Sequence, residues 1–367
     1  MASPSGEVPE SLPDYEQVTQ ELFSASPCAL AAIRLNSLYN LRGCDLARET
    51  AETALTSVKE TAERVVDNIE RVIVGKREVV ELALVAVLCQ GHLLIEDVPG
   101  IGKTTLAKAI ARSLSCTFKR IQFTPDLMPA DITGLNYYNQ KRGEFEFRPG
   151  PIIAQVVLAD EINRATPRTQ AALLEAMEEH QVTIDGVTVP LPRPFLVLAT
   201  QNPIELEGTF PLPEAQLDRF LMRLRLGYPN QGEEEEIIQR FAAADPLATT
   251  EPVLEAEEVL RLGEALTAVT CQPVVRRYLV QVVRATREHD AFELGASPRA
   301  SLALFRTARA LAAVRGRDYI LPDDVKYLAP YVIPHRLILG TQAHLRGRDA
   351  EGVLREILET LPVPVEE

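Results

Sequence analysis

Two groups of residues in this 367-residue chain have the types and spacing to do chemistry on a phosphate. The first closes the run Asp97-Val98-Pro99-Gly100-Ile101-Gly102-Lys103-Thr104-Thr105. Lys103 would supply a mobile positive charge for the β- and γ-phosphates of a nucleotide, and the Thr104 hydroxyl can ligate Mg²⁺. Gly100 and Gly102 let successive backbone N–H groups converge on one point, where the positive end of a following helix adds to the field. The second group, Asp160-Glu161, ends the apolar run Gln155-Val156-Val157-Leu158-Ala159. Asp160 could hold Mg²⁺ through a water, and Glu161 could orient and deprotonate a water for in-line attack on the γ-phosphate. Asn202, after Phe195-Leu196-Val197-Leu198-Ala199-Thr200-Gln201, can hydrogen-bond a water or a γ-phosphate oxygen. An Asn-Pro pair taken by itself reads better as an ordinary turn.

These side chains need elements to hold them. His92-Leu93-Leu94-Ile95 reads as a short buried strand and Thr105–Arg112 as a helix without a breaker, so the glycine-bearing loop joins strand to helix. The strict pattern G-x-x-x-x-G-K-[ST] asks for glycine at the position of Asp97, and a plain strand-to-helix turn is the alternative for this segment alone. The apolar runs before Asp160 and Asn202 read as parallel strands whose carboxyl ends open on one crevice, where ligands of open α/β sheets sit. Val182–Val189 alternates around Asp185-Gly186, the signature of a two-residue type I′ hairpin. A longer hairpin is expected from Leu135–Tyr138, a turn over Asn139–Gly143, and Glu144–Arg148. Between Glu49 and Val72, apolar residues at three- and four-residue steps mark an amphipathic helix. Val79–Ile95 reads as a helix, a glycine stop and a strand rather than a membrane span. After Tyr228-Pro229-Asn230 the strands are expected to cease. Glu233–Glu236 then fall in a helix's first turn, and Ser297-Pro298-Arg299 and Leu321-Pro322-Asp323 open later helices, the second being the last clear one.

Net charge is −14 with a pI near 5.0, and no basic stripe or aromatic-interleaved Lys/Arg cluster stands out. This argues against nucleic acid as a partner, because phosphate neutralisation needs clustered positive charge. Cys28, Cys44, Cys89, Cys116 and Cys271 lack metal-type pairing, and their scatter fits reduced thiols in a cytoplasmic protein. Met1–Gly6 has neither the basic region nor the apolar core of a signal peptide, and no segment calls for membrane insertion. The length suits two or three domains.

Five segments, in order, resemble the MoxR-type ATPases of the AAA+ class: Arg120–Gly134 (RIQFTPDLMPADITG), Ala159–Ala165 (ADEINRA), Ala199–Pro203 (ATQNP), Pro213–Phe220 (PEAQLDRF) and Gly295–Ala300 (GASPRA). The resemblance runs from about Val66 to His335, and a Glu-Asp-x-Pro-Gly-x-Gly-Lys-Thr loop is similar to what the family tolerates at Asp97. It implies an α/β fold, a P-loop AAA+ core with a parallel sheet sandwiched by helices and two β-hairpin inserts, plus a C-terminal all-α lid domain. Core and lid would cover 49–228 and 229–340, between a mobile or partner-binding extension at 1–48 and a tail at 341–367. The paired hairpins resemble those of the helix-two-insert branch, in which they would face a central pore.

Site roles follow from the same resemblance. Val74 and Gly75, within Ile73-Val74-Gly75-Lys76, would contact adenine; Val98, Pro99, Gly100, Ile101, Gly102, Lys103, Thr104 and Thr105 would hold ATP; Thr104 and Asp160 would hold Mg²⁺. Lys103 and Glu161 would be catalytic, and Asn202 would sense the γ-phosphate. Arg219 would be an arginine finger on the neighbouring subunit's nucleotide, and Arg299 a second sensor pointing from the lid at its own subunit's γ-phosphate. Without the family both arginines read as surface ion-pair partners. Arg164 could face a neighbour or make a local cap or ion pair.

The function implied is Mg²⁺-dependent ATP hydrolysis in a homo-oligomeric ring, a hexamer. The ring would act as a chaperone-like motor in the maturation of partner proteins, often ones with a von Willebrand factor A domain. Three alternatives remain: a magnesium chelatase-type motor, disfavoured by the wording of Phe123–Leu127 and Ala215–Arg219; a nucleotide-dependent scaffold that does not hydrolyse; and a monomeric P-loop kinase.

Overall fold

Side chains alternate across a β-strand, so short apolar strands in one sheet feed two hydrophobic layers at once. The computed structural model describes residues 55–203, 208–243 and 245–364; the expected extension at 1–48 and the first turn of the helix from Glu49 lie outside the described residues. In chain order the strands before the lid are β1 (His92–Glu96), β2 (Phe118–Gln122), β3 (Gly134–Asn139), β4 (Glu144–Pro149), β5 (Val156–Asp160), β6 (Gln181–Ile184), β7 (Val187–Pro190), β8 (Leu196–Gln201) and β9 (Phe220–Leu224). Five of them form a sheet in the order β2-β5-β8-β1-β9, every neighbouring pair parallel. Register sets Ala159 opposite Ala199 and Leu94 opposite Ala199, which brings the carboxyl ends of β5, β8 and β1 side by side.

One face of the sheet presents Leu93, Ile95, Leu158 and Leu198 to the Lys103–Ser113 helix, the Arg77–Leu88 helix and the helix over residues 55–70. The expected stripe of that last helix, Leu55, Val58, Ala62, Val65 and Ile69, together with Val72 after it, is buried throughout. The other face presents Leu94, Val157, Ala159, Val197 and Ala199 to Leu173, Leu174 and Met177 of the Pro167–Glu179 helix. The stop after the Arg77–Leu88 helix differs in detail from expectation: Gln90 takes the left-handed conformation (φ 51°). Gly91 is needed for another reason, since a Cβ there would lie 2.3 Å from Leu221 Cδ2.

Both hairpin inserts form. In β6–β7 Ile184 pairs with Val187, and Asp185 and Gly186 have φ of 49° and 82°, the positive pair that a type I′ turn demands. The β3–β4 hairpin touches it, Asn136 Nδ2 donating to Asp185 Oδ2 at 2.8 Å.

The C-terminal region is helical: among its helices Pro298–Val314 and Pro322–Val332 place Leu304, Ala308, Leu311, Val325 and Leu328 in the apolar layer that holds Leu82 and Leu106. Lid and sheet therefore share one core. Two features differ from the sequence reading. Strands do not cease at residue 228, because β10 (Phe292–Leu294) and β11 (Ile338–Leu339) pair antiparallel within the lid. Residues read only as a tail form the helices Thr341–Leu345 and Ala350–Thr360; Val353, Leu354, Ile357 and Leu358 of the second are buried, and its Glu351 pairs with Arg223 of β9 at 2.7 Å. The Ser297 and Leu321 helix starts are as expected, Ser297 capping by accepting Arg299 N–H. No helix among the described residues is long and apolar enough to cross a membrane.

Candidate functional site

Between β1 and the Lys103–Ser113 helix the backbone is left-handed at Gly100 (φ 88°) and Gly102 (φ 93°), and nothing lies within 4 Å of where a Cβ would stand at either. Glycine thus leaves an open cradle at the positive end of a helix, the local arrangement that receives phosphate oxygens. Lys103 Nζ donates to the Asp97 carbonyl at 2.6 Å. Burial pushes its pKa down, while Asp160, Asp97 and Glu161 pull it up. Asp97, the departure from the strict motif, accepts Val98 N–H on Oδ1 at 2.9 Å and Gly227 N–H on Oδ2 at 2.7 Å. Its carboxylate ties the loop to the segment that leads from β9 into the lid.

The acids stand at the adjoining strand ends. Asp160 is buried; its Oδ1 accepts the Thr200 hydroxyl at 2.6 Å, and its Oδ2 accepts Nε and Nη2 of Arg120 at 3.1 and 2.5 Å. Glu161 takes a left-handed backbone (φ 58°), held by its N–H donating to Thr200 Oγ1 at 2.8 Å. Its Oε2 accepts Gln122 Nε2 at 2.7 Å and lies 3.2 Å from Arg164 Nε, so Arg164 makes a local ion pair. Lys103, Thr104, Asp160, Glu161 and Asn202 all line one cavity of about 390 Å³, together with Arg120 and Gln122.

A second cavity of about 380 Å³ shares Pro99, Gly100, Gly102 and Thr105 with the first. Its remaining wall is mostly apolar, with Val72, Ile73, Val74, Ile101, Ile237 and Phe241. An apolar slot opening onto a polar cradle suits a base on one side of the loop and phosphates on the other. Val98 and Gly75 line neither cavity. A Cβ on Gly75 would sit 2.1 Å from Glu233 Oε1, so this glycine admits the carboxylate that pairs with Lys76 at 3.4 Å and accepts Asn230 N–H at 2.8 Å.

Arg219 and Arg299 lie elsewhere. Both pair with Glu178, at the end of the Pro167–Glu179 helix, each at 2.9 Å, and both line a third cavity of about 310 Å³ that shares no wall residue with the first. Arg299, expected to point at the phosphate site of its own subunit, lines this different cavity instead. The cause is Asp218: its Oδ2 accepts the Ser297 hydroxyl at 3.1 Å and its Oδ1 accepts Nε of buried Arg336 at 2.7 Å. That carboxylate anchors the start of the lid helix beside Arg219. Sequence reasoning missed Asp218, Glu178, Thr200, Arg120 and Gln122 as parts of sites. For the last two a signal existed: two polar residues at alternate positions of a strand share a face.

Known proteins resemble this chain over most of its length. The family profile described as "ATPase family associated with various cellular activities (AAA)" matches residues 92–222, and "AAA lid domain" matches 284–357. The uncharacterized Bacillus subtilis protein YeaC is 51% identical over 83% of this chain and 95% of its own length. Chaperone MoxR1 of Mycobacterium tuberculosis is 46% identical over 84% of each chain. A Cytophaga hutchinsonii crystal structure assigned as an ATPase superposes with a TM-score of 0.81 at 37% identity, covering 87% of this chain and 100% of that one. Magnesium-chelatase relatives are more distant, the Arabidopsis thaliana subunit ChlI-2 being 27% identical over 52% of this chain.

Proposed function

This chain belongs to the MoxR family of AAA+ ATPases, and from that premise we propose that it hydrolyses ATP at a site completed by a second copy of itself, as the motor of a chaperone-like ring. One observation carries the reading: Lys103, Thr104, Asp160, Glu161 and Asn202, drawn from three strand ends, meet around one cavity beside an apolar slot. The base would lie against Val74 and Ile101, and the phosphates would accept N–H groups of Gly100 to Thr104. Lys103 would leave the Asp97 carbonyl for the β/γ-phosphates. Thr104 and Asp160, both lining this cavity with oxygen donors, would hold Mg²⁺, which when bound neutralises charge on the phosphate oxygens. Glu161 would take the proton of the attacking water, and Asn202 would fix that water or a γ-oxygen.

What the cavity lacks is a guanidinium aimed from the lid. Arg219 and Arg299, side by side on Glu178, form a cationic pair on another face, and we assign both to the neighbouring subunit's terminal phosphate. A closed ring, six-membered by the family resemblance, would give every site such a pair. The printed name of chaperone MoxR1 supports a protein substrate, and the resemblance supports partners with a von Willebrand factor A domain. Unpaired thiols at Cys89, Cys116 and Cys271 support a reducing, cytoplasmic setting. The test is Glu161→Gln: steady-state phosphate release should fall at least about a hundredfold while nucleotide binding persists. Unchanged phosphate release would replace hydrolysis with a nucleotide-dependent scaffold.

A further inference from the structure

Arg120 is a charged wall residue of the phosphate cavity to which the reaction above gives no part. It projects from β2 onto Asp160 Oδ2 through Nε and Nη2, and the same Nη2 donates to Gln122 Oε1 at 2.6 Å. Gln122 in turn donates to Glu161 Oε2 at 2.7 Å. A continuous relay thus runs from the acid suited to Mg²⁺ to the acid suited to the water. Its two ends differ in freedom: Asp160 is 12% exposed in its side chain, whereas Arg120 is 48% exposed and can swing. A buried carboxylate without a cation is costly, which gives the guanidinium its place on Asp160 when no metal is there. A divalent ion at or beside Asp160 would compete with the guanidinium for the one negative charge of that carboxylate.

We infer that Arg120 is an exchangeable counter-ion: it neutralises Asp160 in the metal-free site, yields that carboxylate when a divalent cation binds, and turns to the terminal phosphate within the same subunit. The step moves no proton and breaks no covalent bond. The inference rests on the nucleotide reading of the site. Arg120 then sets two quantities a merely structural ion pair would leave alone, the metal concentration needed for nucleotide binding and the preference for ATP over ADP.

The experiment titrates ADP binding to the full chain with Mg²⁺ by calorimetry, and ATP binding in a Glu161→Gln background where hydrolysis is blocked. Arg120→Gln should lower the Mg²⁺ midpoint for ADP roughly tenfold, by removing the competitor, and weaken ATP relative to ADP roughly tenfold at saturating Mg²⁺. In chelator, Arg120→Gln should melt earlier than the native chain, with Mg²⁺ and ADP abolishing the difference. Arg120→Lys keeps the charge without the fork and should fall between the two. If both Arg120 variants bind ADP and ATP with native Mg²⁺ midpoints and native preference, the counter-ion role is overturned while the nucleotide site stands. If the native chain binds neither nucleotide, both readings fall together.

Discussion

At the scale of single residues, His92 shows what a parallel sheet can demand of a side chain. Its Nε2 lies 3.1 Å from the Met177 carbonyl and its Nδ1 accepts Val197 N–H at 3.1 Å, so the ring must be neutral and protonated on Nε2. Burial lowers its pKa to about 4, and burial lowers that of His335 in the same direction. A depressed basic pKa means that the unfolded chain binds more protons between the two values. The contribution is therefore present above the unfolded value near 6.5 and lost as pH falls toward about 4. Urea unfolding should show native stability dropping by on the order of 3 kcal/mol for His92 alone across that window. A flat profile from neutral pH to 4.5 would contradict the neutral-imidazole assignment. The residues proposed for the chemistry were legible because each is local to its motif: Lys103 follows its glycines, and Asp160-Glu161 end an apolar run. Arg120, Thr200 and Glu178 were not, since each acts on a partner about forty or more residues away and depends on sheet order and on where a helix ends.

At the scale of elements, legibility followed length and periodicity. The stripe from Leu55 to Val72 and the Asp185-Gly186 hairpin are strong patterns, and both are present. The β10–β11 pair spans three and two residues, too short for any period to register. The Ala350–Thr360 helix carried a signal that family coverage obscured: Val353, Leu354, Ile357 and Leu358 recur at helical steps and face the lid. Because Leu354 is fully buried in the core shared with the sheet, Leu354→Ala should cost about 2–5 kcal/mol in denaturant unfolding. A change below a few tenths would make this helix an appendage.

For the whole molecule, the two arginines line a cavity apart from the one proposed to hold phosphate, so on the proposed reading activity would be a property of pairs of subunits. Arg219→Ala and Lys103→Ala proteins should each be nearly inactive, the first lacking the donated guanidinium and the second the lysine that receives phosphate. Mixed in equal amounts they should recover activity, because about a quarter of randomly formed seams join an intact pocket to an intact arginine. A mixture no better than its parents would favour a self-sufficient subunit, as in a P-loop kinase. This level was the least legible in sequence: residues 219 and 299 look like any surface cations until the fold gathers them on one acid.

Asp97 carries such coupling back inside one chain. Bonded to Val98 on one oxygen and Gly227 on the other, it ties the glycine-bearing loop to the root of the lid. The glycine preferred at this position by the strict pattern would sever that tether; on the proposed reading the deviant letter would work as a drawstring, phosphates settling in the loop tugging on the segment that leads to the lid.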